Sequence, residues 1–503
     1  MFLIILGLVL AALLSWVYLR WQNLKQYWAK RGVAHLPPHP IMGSLTFLQK
    51  KNPSVWMVEM YKKFKAPYIG IWLFWRPALI INSPDLARNI LVKDFSCFRD
   101  RFLSSGPSDP IGSLNMLTVK DPLWSTIRRR LTSAFTASKL RSLQPLVNTK
   151  ARELVQRIKN TEDKTKLSLR PYPPQHLFSD YTTDVSATAA FGVETNATLT
   201  GKDPMRTVTG AFMKFDVFRG LSWISVFFIP SLVDTFRFTV FPKWATDYFT
   251  KIYTIVSEQR LEQKRTEEPR DFLDVLLKLK EDSAKNNEGV SDDAILAQAV
   301  IFLFAGFETT AAALSFVTYE LAYHPEVQER LYKELRELMD KSPNEQYDMS
   351  ELAELPYLNA VMKETLRKFA PMAWLDRVAL EEYKIDDHLT IPAGTPVYVN
   401  SIGMQYDSKY FPDPKQFDPD RFMPENEANL TPFTCMPFGE GPRGCLGKRF
   451  GQMSLRYGLS YLVLNYKIVP LPGAPKPDEV EIEKRGLSLV PGEKIFVDFV
   501  SRM

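Results

Sequence analysis

Hydrophobic and polar positions divide the chain into an unbroken apolar start, a long body with mostly helical periodicity, and a few short β-branched runs. Residues 1–19 carry no charge, and from Phe2 they read Phe-Leu-Ile-Ile-Leu-Gly-Leu-Val-Leu-Ala-Ala-Leu-Leu-Ser-Trp-Val-Tyr-Leu. That is close to the ~20 residues one helix needs to cross a bilayer. A cleaved signal peptide is the rival reading, but no basic region precedes the run, and Arg20, Lys25, Lys30 and Arg31 follow it. Basic residues stay on the cytoplasmic side, so the rest of the chain is expected in the cytoplasm, with Trp16, Tyr18 and Trp21 at an interface. The division expected is a transmembrane signal-anchor at 1–20, a basic, proline-rich linker at 21–45 and one catalytic body at 46–503. Leu36-Pro37-Pro38-His39-Pro40 resists helix and would hold that body at a fixed angle to its anchor.

Within the body, Tyr68 to Trp75 and Ala78 to Ile81 are apolar runs broken at Arg76-Pro77, which predicts a hairpin in a small sheet. Ser83-Pro84 supplies a cap and a first-turn proline for a helix through about Val92. Phe212 to Phe241 is dense in aromatics, among them Phe215, Phe218, Trp223, Phe227, Phe228, Phe236 and Phe238, with prolines and polar residues interrupting the period. Arg270-Asp271-Phe272 opens an amphipathic helix. Asp292 to Tyr323 has no proline and predicts a helix about 48 Å long. Its middle, Ala299 to Ala313, is apolar nearly all round, so it belongs in the interior. Tyr383–Ile391 and Val397–Asn400 read as short strands around Pro392-Ala393-Gly394. Tyr406 to Pro437 reads as a long irregular loop. The fold class expected is mainly α with small β-sheets, around one long central helix.

Composition narrows the function little but excludes several classes. A net charge of +6 suits an acidic partner or a membrane surface. No dense basic run with interleaved aromatics points to nucleic acid. Three cysteines, Cys97, Cys435 and Cys445, lack the spacing of a metal finger and imply a reducing compartment without a disulfide framework. Five scattered histidines argue against a histidine-built metal site.

The candidate chemistry concentrates in Pro437-Phe438-Gly439-Glu440-Gly441-Pro442-Arg443-Gly444-Cys445-Leu446-Gly447. Its glycines force a tight turn and a close backbone approach. The residues from Lys448 read as a helix, so Cys445 is expected near a helix N-terminus, where the dipole favours the thiolate that ligates metal. Arg443 could pair with an anionic group of whatever that sulfur holds. The bland alternative is a surface loop with an idle cysteine. The pattern Phe-x-x-Gly-x-Arg-x-Cys-x-Gly resembles the haem-ligand loop of the cytochrome P-450 superfamily, and the resemblance makes Cys445 the axial thiolate of haem b.

The resemblance extends over roughly residues 36–500. Trp124 and Arg128, four apart on one helical face, are similar to the pair that holds a haem propionate in the family. Arg101 and Arg377 are implied as further propionate partners. Ala305-Gly306-Phe307-Glu308-Thr309-Thr310 resembles the oxygen-activation segment, in which the glycine makes room for dioxygen while Glu308 and Thr309 relay protons so that one oxygen leaves as water. The bland alternative there is a satisfied Glu308 and a threonine bonded to its own turn. Glu364 and Arg367, three apart, resemble a buried structural pair completed by Arg421; in isolation such a pair is a surface contact. The aromatic stretch at 212–241 matches the family region that roofs the substrate cavity and dips into the membrane, although buried core also accounts for aromatics. Arg129, Arg130, Lys139 and Arg141, with Lys448 and Arg449, form either a solvated face or a docking surface for an acidic redox partner.

The loop is most similar to arthropod microsomal enzymes of the xenobiotic-metabolising group, although Gly444 and Leu446 stand where related enzymes often carry a polar residue and isoleucine. The resemblance implies a monooxygenase of the endoplasmic-reticulum membrane acting on lipophilic xenobiotics or endogenous lipids. Electrons would come from NADPH through a separate NADPH–cytochrome P-450 reductase, with cytochrome b5 as a further partner. No Gly-x-Gly-x-x-Gly follows a strand to bind NADPH directly. The rival readings are a haem-thiolate isomerase or dehydratase, against which the Glu308-Thr309 pair argues, and a non-enzymatic haem-binding membrane protein.

Overall fold

The structure is a computed structural model that describes residues 1–170, 177–262, 271–285, 290–342 and 346–502. Helix α1, Phe2–Lys25, carries no buried residue and no acid. It continues past residue 20, and the segment from Tyr27 to Val33 turns and packs instead of running extended. The Trp28 ring is fully buried and its indole N–H donates to the Ile71 carbonyl at 2.9 Å. Gly70 lies directly under that ring, where any Cβ would collide with it. Trp72 Nε1 donates to the Leu24 carbonyl at 3.2 Å. The angle between anchor and body is therefore set by tryptophans docked on a sheet as well as by the prolines at 37, 38 and 40.

That sheet begins with the expected hairpin, β1 Tyr68–Leu73 and β2 Arg76–Ile81. The turn falls two residues earlier than the sequence predicts, at Phe74-Trp75, with Phe74 at φ +54°. Arg76 and Pro77 are inside β2, paired with Leu73 and Trp72. Pro77 is tolerated because the neighbour on the other side of β2 pairs only from Leu79 to Ile81. The helix capped by Ser83 runs Pro84–Arg88 and continues as a wider turn through Asn89–Lys93.

Helix α2, Leu123–Thr132, and α3, Leu177–Phe191, precede the aromatic stretch. That stretch forms α4, Val217–Phe228, and a shorter helix Ser231–Phe236. The amphipathic helix runs Phe272–Lys285, while Arg270 lies outside the described residues. The central helix α5 spans Asp292–Tyr323, the range the sequence predicts, with the Ser291 hydroxyl accepting from the Ala294 N–H. Helix α6, Pro356–Lys368, leads into β3, Leu375–Val378; β4 Tyr383–Lys384 and β5 Thr390–Ile391 pair with each other. β6, Pro396–Val399, completes the four-stranded order β1-β2-β6-β3. Residues 406–437 are irregular apart from single turns of helix at Pro419–Phe422 and Pro424–Glu427. Helix α7, Lys448–Asn465, follows the cysteine loop, and β7 Tyr466–Pro470 pairs with β8 Val497–Ser501. The architecture is mainly helical with small sheets, and α5 packs most heavily on α3.

Candidate active site

The cysteine loop is held by its own backbone. Gly439 and Gly441 have φ of +66° and +73°, and a Cβ at Gly441 would strike the Leu91 carbonyl. The Cys445 N–H donates to the Phe438 carbonyl at 2.7 Å, which closes the turn. The Cys445 side chain is accessible, yet burial is the largest influence on its thiol. Such a group lines an internal cleft rather than the outer surface. Burial pushes the thiol up, and the Gly447 N–H, Arg128 and Arg101 pull it back without reversing the shift. The Gly447 N–H and the nearby cations act in the expected direction, toward the thiolate, while desolvation opposes them, and a bound metal would complete the deprotonation.

Around that sulfur, cations outnumber acids. Trp124 is buried, and its indole N–H meets no acceptor among the described residues; neither does the half-buried Arg128 guanidinium one turn later. Arg377 is 1% exposed, donates once to its neighbour's carbonyl at 2.7 Å, and has a buried Nε without a partner. Burial and then Arg101 pull Arg377 down to about 9. Burial likewise lowers Arg128. A guanidinium does not give up its proton under such pressure, so the shift measures an unmet demand for negative charge. Arg101 is partly met, by Asp376 at 2.9 Å. Burial pushes the Asp376 carboxyl up, but Arg101, the Leu103 N–H and Arg377 outweigh it and hold it below the usual carboxylate range.

Arg443 departs from expectation. Its guanidinium donates to Asp100 at 3.0 Å and to the carbonyls of Arg99 and Val119 at 2.9 and 3.2 Å, and it lies 4.0 Å over the Trp124 ring. It ties the cysteine loop to residues 99–124, and few donors remain for an outside anion. Sequence reasoning missed Lys120, whose ammonium donates to the Arg101 and Leu103 carbonyls, and which burial lowers to about 8. It also missed the two acids, Asp100 and Asp376. The Asp376-Arg377 dipeptide at the start of a strand was the available signal.

On the other wall, Ala305 is exposed and Thr309 half-buried on α5, and their spacing of four puts them on one face. The Thr309 hydroxyl donates to the Ala305 carbonyl at 2.7 Å. Its bond to its own turn is thus present, and the oxygen keeps its lone pairs for a donor in the cleft. Glu308 is 2% exposed. Gly306 does not face the same way: a Cβ there would sit 2.6 Å from the Ser186 hydroxyl of α3 and 3.7 Å from the Phe450 ring. Its lack of a side chain lets α3 pack closely on α5 at this point. Helix α7 meets α5 here, with Gly451 opposite Thr310.

Below, Glu364 and Arg367 form a two-pronged pair at 2.6 and 2.8 Å with both side chains fully buried. Arg367 also donates to the Gln405 carbonyl at 2.8 Å, and the Asp418 N–H donates to Glu364 at 3.0 Å. Arg421 stands 3.5 Å from Glu364, within ion-pair reach but without a hydrogen bond from its buried Nε. The pair bridges α6 to the loop that leads to Cys445.

The residues fit a dianionic prosthetic group with a metal: one accessible sulfur donor, unmet guanidinium and indole donors beside it, and a glycine turn that brings the backbone close. Among the described residues no cluster of three histidine, cysteine or acidic side chains offers another metal site. Fold and site together define a haem-thiolate protein. The chain belongs to the cytochrome P450 family, whose model matches residues 34–497. It is 32% identical to cytochrome P450 6k1 of Blattella germanica, over 96% of this chain and 95% of that relative. It is 33% identical to probable cytochrome P450 6g2 of Drosophila melanogaster, over 92% and 93%. A third relative, cytochrome P450 6a2 of Drosophila melanogaster, is 32% identical over 93% of each chain. The chain is a cytochrome P450 monooxygenase that works with haem-thiolate iron and with NADPH-derived electrons delivered by a reductase.

Proposed function

We propose that Cys445 is the axial ligand and that Trp124, Arg128, Arg377 and Arg101 hold the carboxylates of haem in an enzyme that oxidises lipophilic xenobiotics. The observation that carries this is the buried, under-neutralised cation cluster beside the exposed Cys445 thiol. Bound haem supplies the iron that activates dioxygen. Phe438 accepts the bond that closes the turn, and Arg443 braces the loop against residues 99–124. Thr309 accepts a proton donor at its hydroxyl oxygen and passes a proton inward, with Glu308 in the same relay. Glu364, Arg367 and Arg421 keep the proximal side in register.

Substrate enters between residues 105–112 and the aromatic stretch. The Asp109 carboxylate accepts from the Val240 N–H at 2.7 Å, and Asp234 accepts from the Ser108 N–H at 3.1 Å. Val217, Phe218, Leu221 and Phe236 are exposed on the outer side of this roof, an apolar patch suited to a bilayer. With the exposed apolar α1 and the basic residues after it, this supports residence in the endoplasmic-reticulum membrane with the body in the cytoplasm. Anchor, linker and body are taken as 1–20, 21–45 and 46–503. Lys448, Arg449, Arg129 and Arg141 lie exposed on the cysteine side, where the reductase and cytochrome b5 would dock.

Two measurements test the reading. The reduced protein under carbon monoxide shows the far-red-shifted Soret band of a thiolate ligand. In the presence of reductase and a lipophilic substrate, Thr309→Ala goes on consuming NADPH but yields less product per NADPH and more hydrogen peroxide. Unchanged coupling in that variant removes Thr309 from the proton relay.

A further inference from the structure

The charge of the chain is distributed unevenly. Residues 1–58 hold Arg20, Lys25, Lys30, Arg31, Lys50 and Lys51 and no acid, since Glu59 is the first carboxylate. The whole chain has 63 lysines and arginines against 57 acids, so its excess of +6 resides in that opening segment and the remainder is balanced. Lys51 is met by Glu59 at 2.6 Å. Arg20, Lys25, Lys30 and Arg31 pair with no carboxylate among the described residues: Arg20 lies over the Trp16 ring and Arg31 over the Tyr27 ring, while Lys25 and Lys30 have no partner there. Arg20, Lys30 and Arg31 are exposed.

These four cations are fixed in depth. The uncharged residues 1–19, at 1.5 Å each, span about 28 Å, close to the ~30 Å hydrocarbon core of a bilayer, so Arg20 falls at its edge. Its guanidinium lies 5.1 Å from the ring of Trp16, one turn back toward the hydrocarbon, where a lipid headgroup reaches and a soluble acidic protein does not. The Trp21 ring is 5.9 Å from that of Trp75 at the β1–β2 turn, and Trp75 Nε1 donates to the Pro40 carbonyl at 2.7 Å. Hairpin and linker therefore meet the anchor at the level of the headgroups. Trp28, docked over Gly70, then holds Lys30 and Arg31 against the body. Unmet charges held in that layer favour a net negative headgroup over a zwitterionic one, each basic residue near the surface contributing about fivefold.

We propose that the exit of the anchor, from Arg20 to Arg31, is a binding surface for anionic glycerophospholipid of the cytoplasmic leaflet. The inference rests on the membrane-anchored reading, and the test separates the two. The full-chain holoenzyme is placed in phosphatidylcholine vesicles carrying a trace of spin-labelled phosphatidylserine or spin-labelled phosphatidylcholine, and the fraction of label immobilised by the protein is compared. Phosphatidylserine should be held several-fold more, and the preference should nearly vanish in about 1 M salt, where screening leaves a reach of ~3 Å. Lys30→Gln combined with Arg31→Gln should at least halve it, while Arg20 and Lys25 still orient α1. Should the double variant fold poorly, as its thiolate Soret band reports, Lys25→Gln should lower the preference with the contacts of Arg31 to Tyr27 intact. Equal retention of the two lipids by the unmodified protein overturns the proposal, as does a preference that no variant lowers. Slower reductase-driven turnover in pure phosphatidylcholine, with the lipid preference unmoved, would overturn it too and assign the patch to an acidic protein. Release of the unmodified chain from the vesicles by salt would instead overturn the membrane anchor.

Discussion

The two sides of the active-site cleft are built from different materials. Around Cys445 the chain is fixed by glycines at positive φ, by a fully buried Glu364–Arg367 pair and by Arg443 gripping three acceptors. Over the cleft, residues 105–112 meet 217–241 through two carboxylates and a set of phenylalanines, of which Phe218 and Phe236 are more than half exposed. Ionic and backbone constraints permit few residue types at each position, whereas ring contacts accept many. The side that must hold one atom in place is therefore specified tightly. The side that must let molecules through is specified loosely.

Breaking the tight side should be all-or-none. Cys445→Ala is expected to lose the thiolate Soret band and all oxygenase activity, read from the carbon monoxide difference spectrum and product formation. The next largest effect belongs to Glu364→Ala. It strands Arg367 at 0% exposure, and removing one partner of a buried pair costs about 3–5 kcal/mol. Soluble holoprotein yield should collapse, while a conservative Arg421→Lys should be mild because Arg421 reaches Glu364 only at 3.5 Å. Equal losses in the two variants would remove the distinction drawn between them.

The same contrast governs what could be read without a structure. The loop at 437–447 and the helix at 292–323 were legible because each breaks a local rule that only a tertiary purpose explains, clustered glycines and an all-round apolar helix, whereas the pair 364/367 was reached only through the family resemblance. The turn at Phe74-Trp75 was misplaced because Pro77 looks like a breaker until β6 is known to pair with β2 only from Leu79 onward. The contact of Ser186 with Gly306 was not legible, because a sequence places a residue on a helix face but does not name the neighbour that packs there. The cation cluster was half legible: arginines appear in the sequence, but Lys120 joins it through backbone carbonyls, which leave no mark in side-chain types. Asp109 and Asp234 were not legible, since their partners are more than a hundred residues away.

On the loose side, Asp109 sets the larger effect. It is 5% exposed and accepts from Ser105 Oγ, Gly112 N and Val240 N. Asp109→Ala leaves those buried donors unmet, at about 1–3 kcal/mol. Hydrogen exchange should accelerate at 105–112 and 238–241 and stay unchanged at 438–451. Burial lifts the Asp109 carboxyl above its usual value against the pull of these donors. Between the unfolded and folded values the native state therefore binds more protons than the unfolded chain, so local stability falls as pH rises through that window. The variant should lack this slope.

Asp234 sharpens the comparison from the weaker end. Its Oδ1 accepts both the N–H and the hydroxyl of Ser108, at 3.1 and 3.0 Å, and its carboxylate fills the space beside Gly106 where a side chain would otherwise stand. Unlike Asp109 it is exposed, so in Asp234→Ala water takes over both donors and the cost stays near 0.5–1.5 kcal/mol. A loss that small cannot unfold the roof, but it multiplies the population of the open form. Stopped-flow Soret shifts should show association and dissociation of a lipophilic ligand both accelerating, with their ratio nearly constant, because a hinge contact absent from the ligand site alters passage and not affinity. Unchanged association and dissociation rates in this variant would remove Asp234 from the opening of the roof.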